Sequence, residues 1–293
     1  MDEDFEFFGA IIILISSLIL SVLFLVKWYR PLIKAWPKER GKFNRSIMNI
    51  LPILAIGIIL TVLLIWAAQD VINDAFYIIM YLFWGLAWVY ICMLLVSLFF
   101  DISWRDDVLN NNNKGALMAV SGSFLGITAI YSGANIGDGP GWWCVLIAGG
   151  MGVISWFVLG LIAIAATNAK ERITSGRDTG CGVRLGLYLL AIGIILGRAS
   201  AGDWISFDMT FKEFSAGWPA LALTTLFILV ERLYLFQEKN DIEKVGRDYR
   251  NKSVPHGSNI MISVFWGVLF VALAVAAVLF APVPVGSPLF PLS

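Results

Sequence analysis

Hydrophobic positions along this chain gather into eight long runs separated by short polar segments. They cover roughly 9–26, 46–68, 76–100, 115–134, 142–167, 182–200, 217–236 and 258–281. A helix needs about 20 apolar residues to cross a hydrocarbon core. Backbone inside lipid must satisfy its own hydrogen bonds, so each run predicts a helix. The pattern therefore predicts an all-α polytopic membrane bundle of about eight transmembrane helices. It divides into an N-terminal hairpin with a basic loop (1–75), a central four-helix unit (76–204), and a C-terminal hairpin with a proline-rich tail (205–293).

The fourth and sixth runs carry small residues at helical spacing. Gly115, Ala119, Gly122 and Gly126 fall on one face, and Gly122-x-x-x-Gly126 is the small-xxx-small pattern of close helix packing. The plan returns 65 positions later. Asn113 corresponds to Asp178, Gly115 to Gly180, and Gly137-Asp138 to Gly202-Asp203. Gly182, Gly186, Gly193 and Gly197 supply the second small face. This spacing predicts a parallel repeat of two central hairpins, with the fourth and sixth helices side by side and pointing the same way.

Charge sets the expected orientation. Lys27, Arg30, Lys34, Lys38, Arg40, Lys42 and Arg45 crowd the first loop. Arg105, Lys114, Lys170, Arg172, Arg177, Arg184 and the cations of 237–257 fall on the same side if eight helices alternate. Asp2, Glu3, Asp4, Glu6, Asp70, Asp74, Asp138, Asp203, Asp208 and Glu213 fall on the other. The positive-inside rule then predicts cytoplasmic basic loops and both termini outside. Tryptophans fit the same frame: Trp28, Trp36 and Trp104 near inner ends, Trp142, Trp143, Trp204 and Trp218 near outer ends. The acidic first residues and the basic segment after run one predict a retained helix rather than a cleaved signal.

Composition agrees: 59% of the 293 residues are hydrophobic and 14% charged, well below a soluble domain. Net charge is zero, which gives no reason to expect nucleic acid. Cys92, Cys144 and Cys181 share no metal-like spacing, and His256 stands alone between Pro255 and Gly257. No phosphate-binding glycine loop, His-Glu-x-x-His, Gly-x-Ser-x-Gly or Cys-x-x-Cys is present, so neither an enzyme, a cofactor nor a metal is expected. The expected partner is the lipid bilayer, with a homo-oligomer or another membrane or cytoplasmic partner left open.

Asn113-x-Gly-Ala-Leu-x-Ala-x-Ser-Gly122-x-x-Leu-Gly126 resembles the pattern of the YjfL-like bacterial inner-membrane proteins, a domain of unknown function. The likeness covers about Phe76 to Trp204. In the second copy Asp178 stands where the family has Asn, with Gly180, Gly182, Ala191 and Gly193 as expected. The resemblance implies a bacterial plasma-membrane location, and some relatives are tied to envelope-stress or polyamine-linked gene sets. It implies no catalytic residues.

Candidate chemistry gathers at the outer ends of the repeated helices. Asp138 and Asp203 would be symmetry mates there, either as turn and cap residues in a Gly/Asn/Asp/Pro-rich stretch or as a cation or proton site. An intramembrane aspartyl-protease motif would need glycines where Asn135 and Ser200 stand. Arg198, within a turn of the outer end, is costly in lipid and has Asp203 and Asp138 as expected partners. Asn135, Asp138, Asp203 and Arg198 therefore form the candidate permeation or ion site. Arg184 is read as a positive-inside residue at the cytoplasmic end. Ser121, Ser123, Thr128, Tyr131 and Ser132 are read as interhelical glue or pore lining. The Asp106-Asp107 pair is expected to be solvated. Two functions follow: a small-ion or small-solute transport component, or a non-transporting scaffold acting through its cytoplasmic loops.

Overall fold

The computed structural model describes residues 3–34, 41–247 and 259–280. Trp36, Lys38, Glu39, Arg40, His256 and the tail 281–293 lie outside the described residues. Among the described residues the fold is all-α, with a single isolated bridge between Ala67 and Gly137. Eight helices are long and apolar enough to cross a membrane. In chain order the elements are α1 (Glu3–Lys34), α2 (Lys42–Ile65), the short α3 (Gln69–Ile72) and α4 (Ala75–Phe99). A π-helical segment (Trp104–Asn110) leads to α5 (Lys114–Ala134) and α6 (Trp143–Thr167). Then come α7 (Ala169–Thr174), α8 (Thr179–Ala199), α9 (Phe207–Phe214), a 3-10 turn (Ser215–Gly217), α10 (Pro219–Arg247) and α11 (Ile260–Phe280).

α5 and α8 form the centre. They are the most buried of the spanning helices, while α1 and α11 are the most exposed. The two run parallel in register: Gly115 lies against Gly182, Gly122 against Gly186, Gly126 against Leu189 and Gly193, and Gly133 against Gly197. At each step one helix's glycine faces the other's backbone. A Cβ on Gly126 would come 2.6 Å from the Leu189 carbonyl, and one on Gly197 2.5 Å from that of Ala129. A hydrogen in place of a methyl is what allows this approach. The close contact explains why glycine, a poor helix former, is so frequent here.

The surrounding helices are placed alike about this pair. α1 packs on α4 and α2 on α5; α10 packs on α6 and α11 on α8. Local hydrogen bonds also recur at the same 65-residue offset. Asn113 and Asp178 cap α5 and α8, accepting from Ala116 N at 3.1 Å and Cys181 N at 3.0 Å. Just before them, Asn113 N donates to Asp107 O and Asp178 N to Arg172 O. Between lie two left-handed residues, Asn112 (φ 49) and Arg177 (φ 52). Each helix is thus entered through the same sharp turn.

The side chains divide as a membrane requires. The outward faces of α1, α2, α10 and α11 carry Ile12, Ile53, Leu221 and Phe265, apolar residues suited to lipid contact. Trp28 is buried in the bundle, donating Nε1–H to Met48 O at 2.9 Å and stacked on Trp104 with ring centres 4.6 Å apart. The indole serves as a joint between α1 and α2. Run one proves longer than 9–26, and this length carries Trp28 into the bundle.

The hydroxyls of α5 mostly bond within the protein. Ser123 and Thr128 donate to the carbonyls four residues back. Tyr131, fully buried, donates to Tyr81 O of α4 at 2.6 Å. Tyr131→Phe is expected to cost roughly 1 kcal/mol, the net worth of one buried hydrogen bond, read as a lower unfolding temperature in detergent.

Candidate functional site

At their far ends α5 and α8 turn off in the same way. Asn135 and Ser200 close the helices, their N–H groups bonding back to the last turn. Gly137 (φ 106) and Gly202 (φ 149) then take conformations that a side chain would strain. The two turns are stitched together: Gly202 N donates to Ile136 O at 3.0 Å, and Trp204 N to Asp138 O at 2.7 Å. Asp138 N donates to the Asp203 carboxylate at 2.9 Å. Gly137 N reaches Trp66 O at the end of α2.

A cavity of about 70 Å³ opens at this end, between the two turns, the loop after α2, and α9. Its polar lining comes from Asp70, Asn135, Asp138, Ser200, Thr210 and Glu213. Several waters fit such a volume. Of the sequence candidates, Asn135 and Asp138 line it. Asp203 sits in the turn beside it, one carboxylate oxygen taken by the Asp138 N–H. The structure thus gives Asp203 a turn-linking role.

Arg198 corrects one expectation. It pairs with neither Asp203 nor Asp138 and forms no ion pair with any described residue; its Nη1 is enclosed without a hydrogen-bond partner. The acid packed against the turn that follows Arg198 is Glu213 of α9. Glu213 lies under the Gly202 turn, with a Cβ on Gly202 falling 2.7 Å from its Oε2. The charge pattern placed Glu213 only among the acids of the outer side. Its segment, Phe-Asp-Met-Thr-Phe-Lys-Glu-Phe, is a short amphipathic helix capped by Ser206, which accepts from Met209 N. Phe207 and Phe211 are exposed and Glu213 is turned inward. The apolar-polar alternation on a helical period was the available signal.

At the opposite end of α8, Arg184 is fully buried. Its Nε and Nη2 both contact the Glu231 carboxylate of α10, Nη1 contacts Ser263 Oγ of α11, and the guanidinium lies 3.8 Å over the Tyr234 ring. Arg172 of α7 joins the same Glu231 through Nη1 and reaches Asp178 through Nη2 at 2.8 Å. Two arginines and two acids thus fasten α7, α8, α10 and α11. Asp178 stands in for Asn because one oxygen caps α8 while the other takes Arg172. The amide of Asn113 instead donates to Ile173 O at 2.7 Å. Glu231 was legible as the one acid inside the apolar run 217–236. Asp106 is exposed as expected, but Asp107 is half-buried and accepts from Ser103 N at 2.7 Å.

Between the two ends, α5 and α8 touch backbone to backbone, which leaves no lumen between them. Among the described residues no cluster of His, Cys, Asp and Glu is arranged to hold a metal. No protein-family model, curated protein or solved structure matches the chain.

Proposed function

We propose that this integral membrane protein is a transport component for a small ion or solute, working at the cavity beside Asn135 and Asp138. The observation that carries this reading is the asymmetry of the two ends. A polar cavity opens at the Gly137 end. At the Asn113 end the Arg172–Asp178–Glu231–Arg184 network closes the space between four helices. Such a pairing is that of a carrier open to one side. The distribution of basic residues supports assigning the cavity to the outside and the closed end to the cytoplasm, with both termini outside. The likeness to YjfL-like proteins supports a bacterial plasma membrane.

The route would pass around the central pair rather than through it, beside α2, α4 and α6. The test is reconstitution of the full chain in proteoliposomes with proton and alkali-cation dyes. Flux above protein-free vesicles, altered in Arg198→Ala and Asn135→Leu, is expected. No flux from correctly folded protein would overturn transport and favour a scaffold. The lumen-free contact of α5 and α8 favours that second reading, and crosslinking of a cytoplasmic partner to the Asn113 end would support it.

A further inference from the structure

Glu213 is 6% exposed, yet among the described residues no donor or cation is bonded to its carboxylate. It lines the cavity together with Thr210, Ser200 and Asn135. The neighbouring hydroxyls do not serve it: Thr210 donates to Ser206 O, and Ser200 to Leu196 O. Asn135 donates to Tyr131 O. One helix away, Arg198 holds Nη1 enclosed and likewise without a partner. Arg198 lies in the last turn of α8 and Glu213 against the Gly202 turn that follows it, yet the two make no ion pair. With no protein donor to stabilise its charge, the carboxylate meets only the cavity, and a proton taken up from there offsets the burial of the residue.

We propose that Glu213 is a proton-binding site reached through the cavity, with Arg198 as the counter-charge that receives it when the proton leaves. The inference rests on the cavity being the working site, and it names the ligand. The carboxylic acid releases its proton to cavity water, and the carboxylate left behind moves toward the Arg198 guanidinium and pairs with it. Uptake of a proton from water reverses both changes. The other charges around Glu213 fit this exchange. Asp203 follows Gly202, the glycine that Glu213 lies against, and brings a second carboxyl group to that side. Asp138 and Asp70 line the same cavity. Asp208 and Lys212, on α9 itself, are exposed and offset each other. Since α9 joins the chain just before α10, a change in the Glu213–Arg198 distance would pull on the mouth of the cavity.

The experiment is infrared difference spectroscopy of the full chain in lipid nanodiscs, stepped between acid and alkaline pH. A protonated-carboxyl carbonyl band that disappears at alkaline pH is expected, absent in Glu213→Gln and retained at a displaced frequency in Glu213→Asp. In Arg198→Gln the midpoint should rise by about one pH unit or more, because the carboxylate has lost its counter-charge. A band unchanged in Glu213→Gln would overturn the proposal. So would a midpoint that follows sodium or potassium when either replaces choline, since that assigns the carboxylate to a metal cation. If Glu213→Gln does not fold, Glu213→Asp and Arg198→Gln decide by the same band. Titration intact without flux would overturn only the transport reading; flux intact without the Glu213 band would overturn this one.

Discussion

Gly122→Ala is expected to destabilise the protein by on the order of 3 kcal/mol, the upper end of what overpacking costs. A Cβ at Gly122 would fall on the Gly186 carbonyl, and one at Gly186 on the Met118 carbonyl. Neither neighbour is a side chain that could change rotamer. The two helices would have to part, and parting also opens the contacts of Gly126 with Leu189 and Gly133 with Gly197. Gly57→Ala and Gly150→Ala supply the control, since no atom lies within 4 Å of either Cβ. Both sit within helices, so these two changes should leave the melting point unchanged or slightly raised. Thermal unfolding in detergent, followed by circular dichroism and by monodispersity, reads all three. The double change at Gly122 and Gly186 should cost less than the sum, because one separation of the helices relieves both clashes. A Gly122→Ala protein that melts with Gly57→Ala would mean that the central contact is looser than its geometry.

The spanning helices were legible because lipid enforces a simple rule: a long apolar run must be a helix. The side-by-side placement of α5 and α8 was legible for a related reason. Lipid tails offer helices no hydrophobic reward for associating, so glycines at helical spacing mark where backbones meet. The same rule concealed the small elements. α3, α7, α9 and the segment Trp104–Asn110 are short and polar, and in sequence they resemble loops. α9 was hidden in this way, and with it the inward placement of Glu213. The packing of Trp28 between α1 and α2 was not legible, because an indole near the end of an apolar run suits an interface as well as a core. Asp138 and Asp203 were legible as a pair, and the bond from the Asp138 N–H to the Asp203 carboxylate joins their two turns. Which acid faces the cavity unpartnered depends on tertiary placement alone.

Charge was where sequence and structure parted most clearly, because a basic residue near a helix end satisfies the positive-inside rule whether it faces water or protein. At the residue matching Arg184 in the first copy stands Ala119, and at the one matching Arg198 stands Gly133. Each arginine therefore distinguishes α8 from α5. The two have opposite fates: Arg184 is fully satisfied, Arg198 is not. A satisfied buried cation fastens helices, while the half-buried Arg198, with Nη1 enclosed and unbonded, keeps a donor that a neighbouring acid can take up.

Glu231→Gln should be the most damaging single change at the closed end, costing about 3–5 kcal/mol. Glu231 is fully buried and answers two guanidiniums at once, those of Arg172 and Arg184. The amide keeps the shape and removes the charge. Arg172 retains Asp178, while Arg184 loses the carboxylate that its Nε and Nη2 contact and keeps its contacts with Ser263 and the Tyr234 face. A guanidinium is not deprotonated in a protein, so the site cannot relax by losing its proton. Removing both charges is a different case. Arg184→Leu with Glu231→Leu abolishes the desolvation cost together with the pair, and buried pairs replaced by apolar residues are often neutral. The double variant should therefore be more stable than Glu231→Gln alone, an ordering opposite to that expected if lost contacts simply added. Unfolding temperatures in one detergent decide it. If transport is present, the double variant should also leak, because the Asn113 end would no longer be held shut by charge; a double variant that melts below Glu231→Gln would show instead that the pair itself, not the uncompensated arginine, holds α8, α10 and α11 together.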